Sequence, residues 1–162
     1  MYHLYYGYVF NEKYSPYTSF SDSKKIIEIF NQDNISKEDW TKLVSLTDVA
    51  QQVDPFSIRN IYYQKIAYEK LGKLNNAAIN DQKMRCIVNA MRSTGDALSK
   101  ETAIHVIAVH NEYDYMFFIN VSMKSQALIN GGFDLYDLQP NEDGIEELWF
   151  DIKQPLKYLM NN

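Results

Sequence analysis

Chemistry could reside at three places in this chain: a Gly95-Asp96 pair, two histidines five residues apart, and a run of N-terminal tyrosines. Asp96 follows Gly95 in the polar stretch Met91–Glu101. It could present a catalytic or ligand carboxylate on an exposed loop, or it could close a turn by bonding the nearby backbone through its own side chain. His105 and His110 on one strand would face opposite ways and could not share a metal. His110, Glu112 and Asp114 form a tighter group. On a continuing strand they share a face and could bind a divalent cation or act as acid and base. If a helix begins at Asn111 instead, the two carboxylates become favourable charges on its first turn. Tyr5, Tyr6, Tyr8, Tyr14 and Tyr17 crowd the first 17 residues. Phenols bury area at small entropic cost and suit a binding edge, or they roof a core.

Several chemistries are excluded. Serine has no nucleophile elbow, no loop has the glycine spacing that cradles phosphates, and no segment matches a calcium loop. Cys86 stands alone, so an intrachain disulfide or a cysteine metal site is ruled out. No metal and no cofactor is expected. The formal charge of −5 and the lack of a Lys/Arg stripe argue against nucleic acid as a partner. No apolar run reaches the roughly 18 residues that would cross a membrane. The N-terminus lacks the basic and apolar regions of a signal peptide. Its first residues read as core, which suggests that an ancestor extended further upstream, and a dimer through that apolar surface is an open expectation.

The elements that must position these residues follow from the hydrophobic period, which changes near Gly95. Before it, apolar residues recur at helical spacing; after it, Thr102–His110 is continuous and β-branched, as in a buried strand. Leu4, Tyr5, Tyr8 and Val9 predict a short first helix, with a strand as the alternative because tyrosine suits one, and an ordered loop over residues 11–20 follows, broken by Pro16. A helix capped by Ser21 or Ser23 runs to Gln32 with Ile26, Ile27, Ile29 and Phe30 inward. Ser36 and Asp39 form a capping-box pattern opening a second helix. Asp54-Pro55 stops it and starts a third, which closes at Gly72. A fourth runs from Asn75 to Arg92. Ala50, Pro55, Tyr68, Gly72 and Ala77 share one register of the tetratricopeptide pattern, whose unit is about 34 residues.

Beyond Gly95, the spacing predicts a strand over Thr102–Val109 and a helix within Asn111–Val121. It also predicts a strand in Ser125–Leu138 bent at Gly131-Gly132, a hairpin partner in Ile145–Ile152, and a closing helical turn over Pro155–Met160. The fold class is therefore α+β. N-terminal antiparallel helical pairs, tetratricopeptide-like, pack on a small C-terminal antiparallel sheet of about three strands. Length and composition suit a single domain over residues 1–162, with a helical half 1–94 and a sheet half 95–162.

Two segments carry a resemblance. One is Leu4-Tyr-Tyr-Gly-Tyr-Val-Phe10 with Tyr14-Ser-Pro-Tyr17. The other is Ser93-Thr-Gly-Asp96, Glu101-Thr-Ala103, Val106-Ile107 and Glu112-Tyr113, followed by Ser125-Gln-Ala-Leu128 and Gly132-Phe-Asp134. In this ordered set, which spans nearly the whole chain, the protein resembles bacterial proteins grouped as domain of unknown function 4919. Relatives tend to read Gly-Asp-Gly where this chain has Gly95-Asp96-Ala97, so the turn here lacks their second glycine. They also look like exported proteins with residues ahead of the Tyr-Tyr-Gly segment. The resemblance implies that the two halves belong together and implies no activity. On these grounds the expected function is a non-catalytic binding or interaction module for a protein or peptide. The alternative is a metal-dependent or hydrolase-like enzyme using Asp96, His110 and Glu112 at the helix–sheet junction.

Overall fold

The chain is mixed α and β, with seven α-helices and one four-stranded sheet among the described residues. The structure, a computed structural model, describes residues 1–18 and 20–161. It divides into two compact units, residues 18–86 and residues 1–17 together with 87–162.

The first unit is helical: α2 (Ser23–Phe30), α3 (Lys37–Val53), α4 (Ile58–Lys70) and the first part of α5 (Leu74–Arg92). The Ser36 hydroxyl accepts the Asp39 N–H at 3.0 Å and donates to Asp39 Oδ2 at 2.8 Å, so the predicted capping box is present. Asp54-Pro55 ends α3 as expected, but α4 begins only at Ile58, where Ser57 accepts the Asn60 N–H. Gly72 has φ +73. Its N–H bonds Glu69 O, and the next N–H, of Lys73, bonds Tyr68 O at 2.8 Å, which is the Schellman ending. Ile26, Ile29, Leu43, Ala50 and Ala67 form the buried core, with Phe30 and Trp40 against it. Ile27, predicted inward, is exposed, because it sits one residue off the buried stripe of its helix.

Gln64 ties three helices of this unit together. Its amide nitrogen donates to Asp48 Oδ1 at 2.6 Å and Val44 O at 3.4 Å. Its oxygen accepts from Gln51 at 3.0 Å and from Asn80 of α5 at 2.9 Å. Both ends of this buried amide are satisfied, which is the condition for tolerating it in a core.

The second unit holds α1 (Tyr2–Gly7), a 3₁₀ turn (Tyr8–Phe10), α6 (His110–Phe118), α7 (Lys153–Asn161) and the sheet. The strands are β1 (Ile104–His105), β2 (Met123–Ile129), β3 (Phe133–Leu138) and β4 (Glu147–Asp151), in spatial order β1-β4-β3-β2. The helices predicted at the N-terminus, after Asn111 and at the C-terminus are all present. The expected count of about three antiparallel strands needs correction on two points. Gly131 and Gly132, at φ +97 and +81, reverse the chain, so Ser125–Leu138 is the two-stranded hairpin β2–β3. In addition, β1 pairs with β4 in parallel.

The strand predicted over Thr102–Val109 shrinks to two residues. Beyond β1, the backbone N–H groups turn to irregular partners: Val106 to Asp151 O, Ile107 to the Tyr5 hydroxyl, Ala108 to Asn111 Oδ1 and Val109 to Pro16 O. Ala103, Ile104, Val106, Ile107 and Ala108 are nonetheless buried, so the segment has the composition of an inner strand without its ladder. Helix α6 covers the sheet through edge-on ring contacts of Tyr113 with Tyr136 and of Tyr115 with Phe150.

The loop between α5 and β1 docks on β4 through the Trp149 N–H, which donates to Ala97 O at 2.9 Å. Ala97 adopts φ +66, the left-handed region that glycine favours, at the position where the family resemblance places a glycine. Gly95 is required for space: an added Cβ would stand 2.0 Å from Thr102 O.

Two stability outcomes follow. Gly95→Ala is expected to cost at least about 3 kcal/mol, while Ala97→Gly stays within about 1 kcal/mol of the wild type, both read by urea denaturation. Gln64→Leu should cost roughly 2–3 kcal/mol in the same assay, because it strands the buried Asn80 and the half-buried Gln51.

Candidate functional site

Side chains from the N-terminal segment build one wall of a cleft in the second unit. Tyr5 is buried and donates to Asn111 Oδ1 at 2.9 Å. Tyr6 donates to His105 O at 3.0 Å, and Tyr14 to Ile107 O at 2.6 Å. Burial pushes the Tyr6 and Tyr14 hydroxyls up to about 12, so both remain protonated donors at neutral pH. Tyr8 packs edge-on against Tyr14, and Tyr17 is exposed. Of the five tyrosines predicted as binding residues, Tyr6 is the one that lines the cleft.

The cleft has a volume of about 400 Å³. Tyr6, Val9, Phe10, Val106 and Ile107 make its apolar part, and His105, Asp151, Lys153 and Gln154 its polar part. The parallel register sets His105 beside Asp151. Their side chains stand 3.6 Å apart, Nε2 to Oδ2, and Lys153 Nζ lies 2.8 Å from the same oxygen. Asp151 Oδ1 also accepts the Lys153 N–H at 3.0 Å as the chain enters α7. The Lys153 ammonium lies 4.1 Å from the Phe133 ring centre, a cation–π contact that fixes its direction. The result is a cation–carboxylate–imidazole row at one end of an apolar trough.

The predicted catalytic residues do not meet in this cleft. Asp96 is exposed, and its Oδ1 accepts from the Thr102 hydroxyl at 2.6 Å and from the Leu98 N–H at 3.0 Å. These two bonds hold its carboxyl below the usual carboxylate range. It lines a second cleft, of about 530 Å³, in company with Arg92 and Tyr115. His110 is the first residue of α6, with Nε2 3.1 Å from Asn111 Nδ2.

Glu112 and Asp114 lie on the first turns of a helix, as the helical alternative has it, but both are buried rather than solvated. Burial is the main cause that pushes the Glu112 carboxyl up to about 9, and the charge of Asp134 adds to it. Tyr136, two residues along β3 from Asp134, shares that neighbourhood, and burial raises its hydroxyl as well. Neither Glu112 oxygen nor the Tyr136 hydroxyl has a hydrogen bond of good geometry among the described residues. Glu112 is thus a neutral carboxylic acid at pH 7, held next to a carboxylate. Among the described residues, no group of three or more His, Cys, Asp or Glu side chains could hold a metal ion.

Sequence reasoning missed Phe10, Asp151, Lys153 and Gln154, and it considered His105 only to reject a metal shared with His110. Nothing local marks the His105–Asp151 pair, since it arises from a strand pairing 46 positions long in sequence.

With this fold and these two clefts, the chain belongs to the family described as a domain of unknown function, DUF4919, whose model matches residues 1–161. Comparison with curated proteins and with solved structures finds no match. No helix among the described residues is long and apolar enough to cross a membrane.

The neutral Glu112 has a pH signature. Its folded value lies above its ordinary 4.5, so the stability linked to its proton is fully present below about pH 4.5 and is lost as pH rises through about 9. Within that window each pH unit lowers this group's contribution to the folding equilibrium by about a factor of ten. Glu112→Gln, neutral at every pH, should flatten the decline between about pH 5 and about pH 8 in denaturation midpoints. An unchanged slope would show that Glu112 is not the group responsible.

Proposed function

We propose that the protein is a binding module that takes a peptide segment in the cleft lined by Tyr6, Phe10, His105 and Lys153. The observation that carries this is Phe10. It is 89% exposed, although it belongs to an otherwise apolar wall that ends in convergent polar groups. An aromatic side chain standing in water beside a half-apolar trough gains by being covered. The polar end offers a Lys ammonium, an imidazole and the Gln154 amide, which suit backbone carbonyls and polar side chains of an extended ligand.

Helices α4 and α5 fit the same role as a tetratricopeptide-like pair, with α3 as the neighbouring helix. Buried Ala50 and Ala77 allow close helix approach, and Gly72 closes the intervening turn.

A hydrolase-like enzyme is the second reading, favoured by the His105–Asp151 pair, in which a carboxylate could orient an imidazole. Binding is preferred because the lining holds no Ser, Thr or Cys nucleophile, the Tyr6 hydroxyl is committed to His105 O, and Asp151 is shared with Lys153.

A peptide array probed with wild type, Phe10→Ser and His105→Ala tests both readings. A defined subset of peptides should be retained by wild type and lost with Phe10→Ser, while stability changes by less than about 0.5 kcal/mol. Equal retention by Phe10→Ser removes the cleft from the function. Turnover of an ester or peptide substrate that disappears in His105→Ala would replace binding with catalysis.

A further inference from the structure

The second cleft of this unit has a different character. Its lining is mostly apolar, with Leu98, Tyr115, Ile119, Ile145 and Leu148, and its one basic residue is Arg92. Arg92 is the last residue of α5, and Tyr115 of α6 holds it in place. The guanidinium lies over the Tyr115 ring, 5.4 Å from the centroid, and its Nε donates to the Tyr115 hydroxyl at 3.0 Å. One N–H is therefore engaged and the planar group is oriented. Arg92 is exposed, and its two terminal amino groups have no hydrogen-bond or ion-pair partner among the described residues.

An oriented guanidinium with both terminal nitrogens free is the geometry that receives a carboxylate through two parallel N–H···O bonds. Two acids also line the cleft, and neither neutralises Arg92. Asp96 Oδ1 is taken by Thr102 and Leu98, and Asp143 sits on the exposed turn at residues 141–144. Their charges disfavour a dianion such as a phosphate monoester more strongly than a monoanion on the arginine. The apolar side chains would cover a hydrocarbon body attached to that charge.

We infer that this cleft binds a monocarboxylic acid with an apolar body, its carboxylate on Arg92 and its hydrocarbon among Leu98, Ile119, Ile145 and Leu148. Two sources share that chemistry: a free organic acid, and the C-terminal residue of a peptide. The site is separate from the Tyr6–Phe10 cleft and does not rest on the peptide reading proposed for it.

Isothermal titration of the full chain tests the inference with hexanoate, N-acetyl-leucine, N-acetyl-leucinamide, phenyl phosphate and a tetrapeptide ending in leucine as acid or amide. At least one acid should saturate, and the matching amide and phenyl phosphate should bind at least about tenfold more weakly. Arg92→Met should bring acid binding down to the level of the amide. Tyr115→Phe, which releases Nε but keeps the ring, should weaken the acid several-fold and serves as the second variant if Arg92→Met does not fold by circular dichroism. Tighter binding of hexanoate identifies a free acid as the ligand, and tighter binding of the peptide acid identifies a C-terminus. Equal affinity for acid and amide, wild-type affinity in the folded Arg92→Met protein, or saturation by none of the acids would overturn it.

Discussion

Most of residues 104–111 are buried, yet only two residues of this segment join the sheet. Its remaining polar groups must find partners elsewhere, since an unpaired buried amide costs about as much as a lost hydrogen bond. The N-terminal phenols meet that demand. Tyr6 takes the carbonyl of His105, Tyr14 that of Ile107, and Tyr5 accepts the Ile107 N–H while holding Asn111. The tyrosine-rich start of the chain is therefore structural in the second unit. One cleft is a by-product of this arrangement, because the segment being held and the helix that holds it leave a trough between them, lined from both sides.

The parallel contact of β1 with β4 has an effect out of proportion to its length. Two residue pairs suffice to place His105 beside Asp151 and to let the Val106 N–H reach Asp151 O. Asp151 then collects an imidazole, an ammonium and a backbone donor while ending β4 and opening α7. On the opposite face of the sheet, Asp134 and Tyr136 of β3 are buried near Glu112 of α6. Each feature exists because a short strand fixes which side chains face each other.

Much of the fold was legible where the signal was local. Ser36 with Asp39, and Gly72, could be recognised because caps and turns are set by residues a few positions apart, whereas α6 starts at His110 with no side-chain cap, so Asn111 does not cap it. Residues 102–109 misled for a physical reason: burial, not the ladder, selects β-branched residues there, and periodicity reports burial. The Gly131-Gly132 pair was noticed, but a bend and a full reversal need the same residue type and differ only in how many positive φ angles occur in succession. Glu112 could be named from sequence as a candidate, but its neutral state could not. That depends first on its burial and then on the charge of Asp134, about twenty positions away and brought close by the sheet. Arg92 gave no signal at all, since a basic residue ending a helix is ordinary.

The second unit is discontinuous, formed by the first 17 residues and the last 76, with the helical unit between them in the chain. Its defining bonds join residues about a hundred positions apart, as Tyr5 with Asn111 and Tyr14 with Ile107 illustrate. Contacts at such separation are slow to form, because loop closure comes before any gain from the contact. The helices of residues 18–86 draw on near neighbours and can assemble while the ribosome is still producing the rest. Through that interval Tyr5, Tyr6 and Tyr14 have no carbonyls to meet. These three phenols therefore wait for their partners until residue 111 has been made.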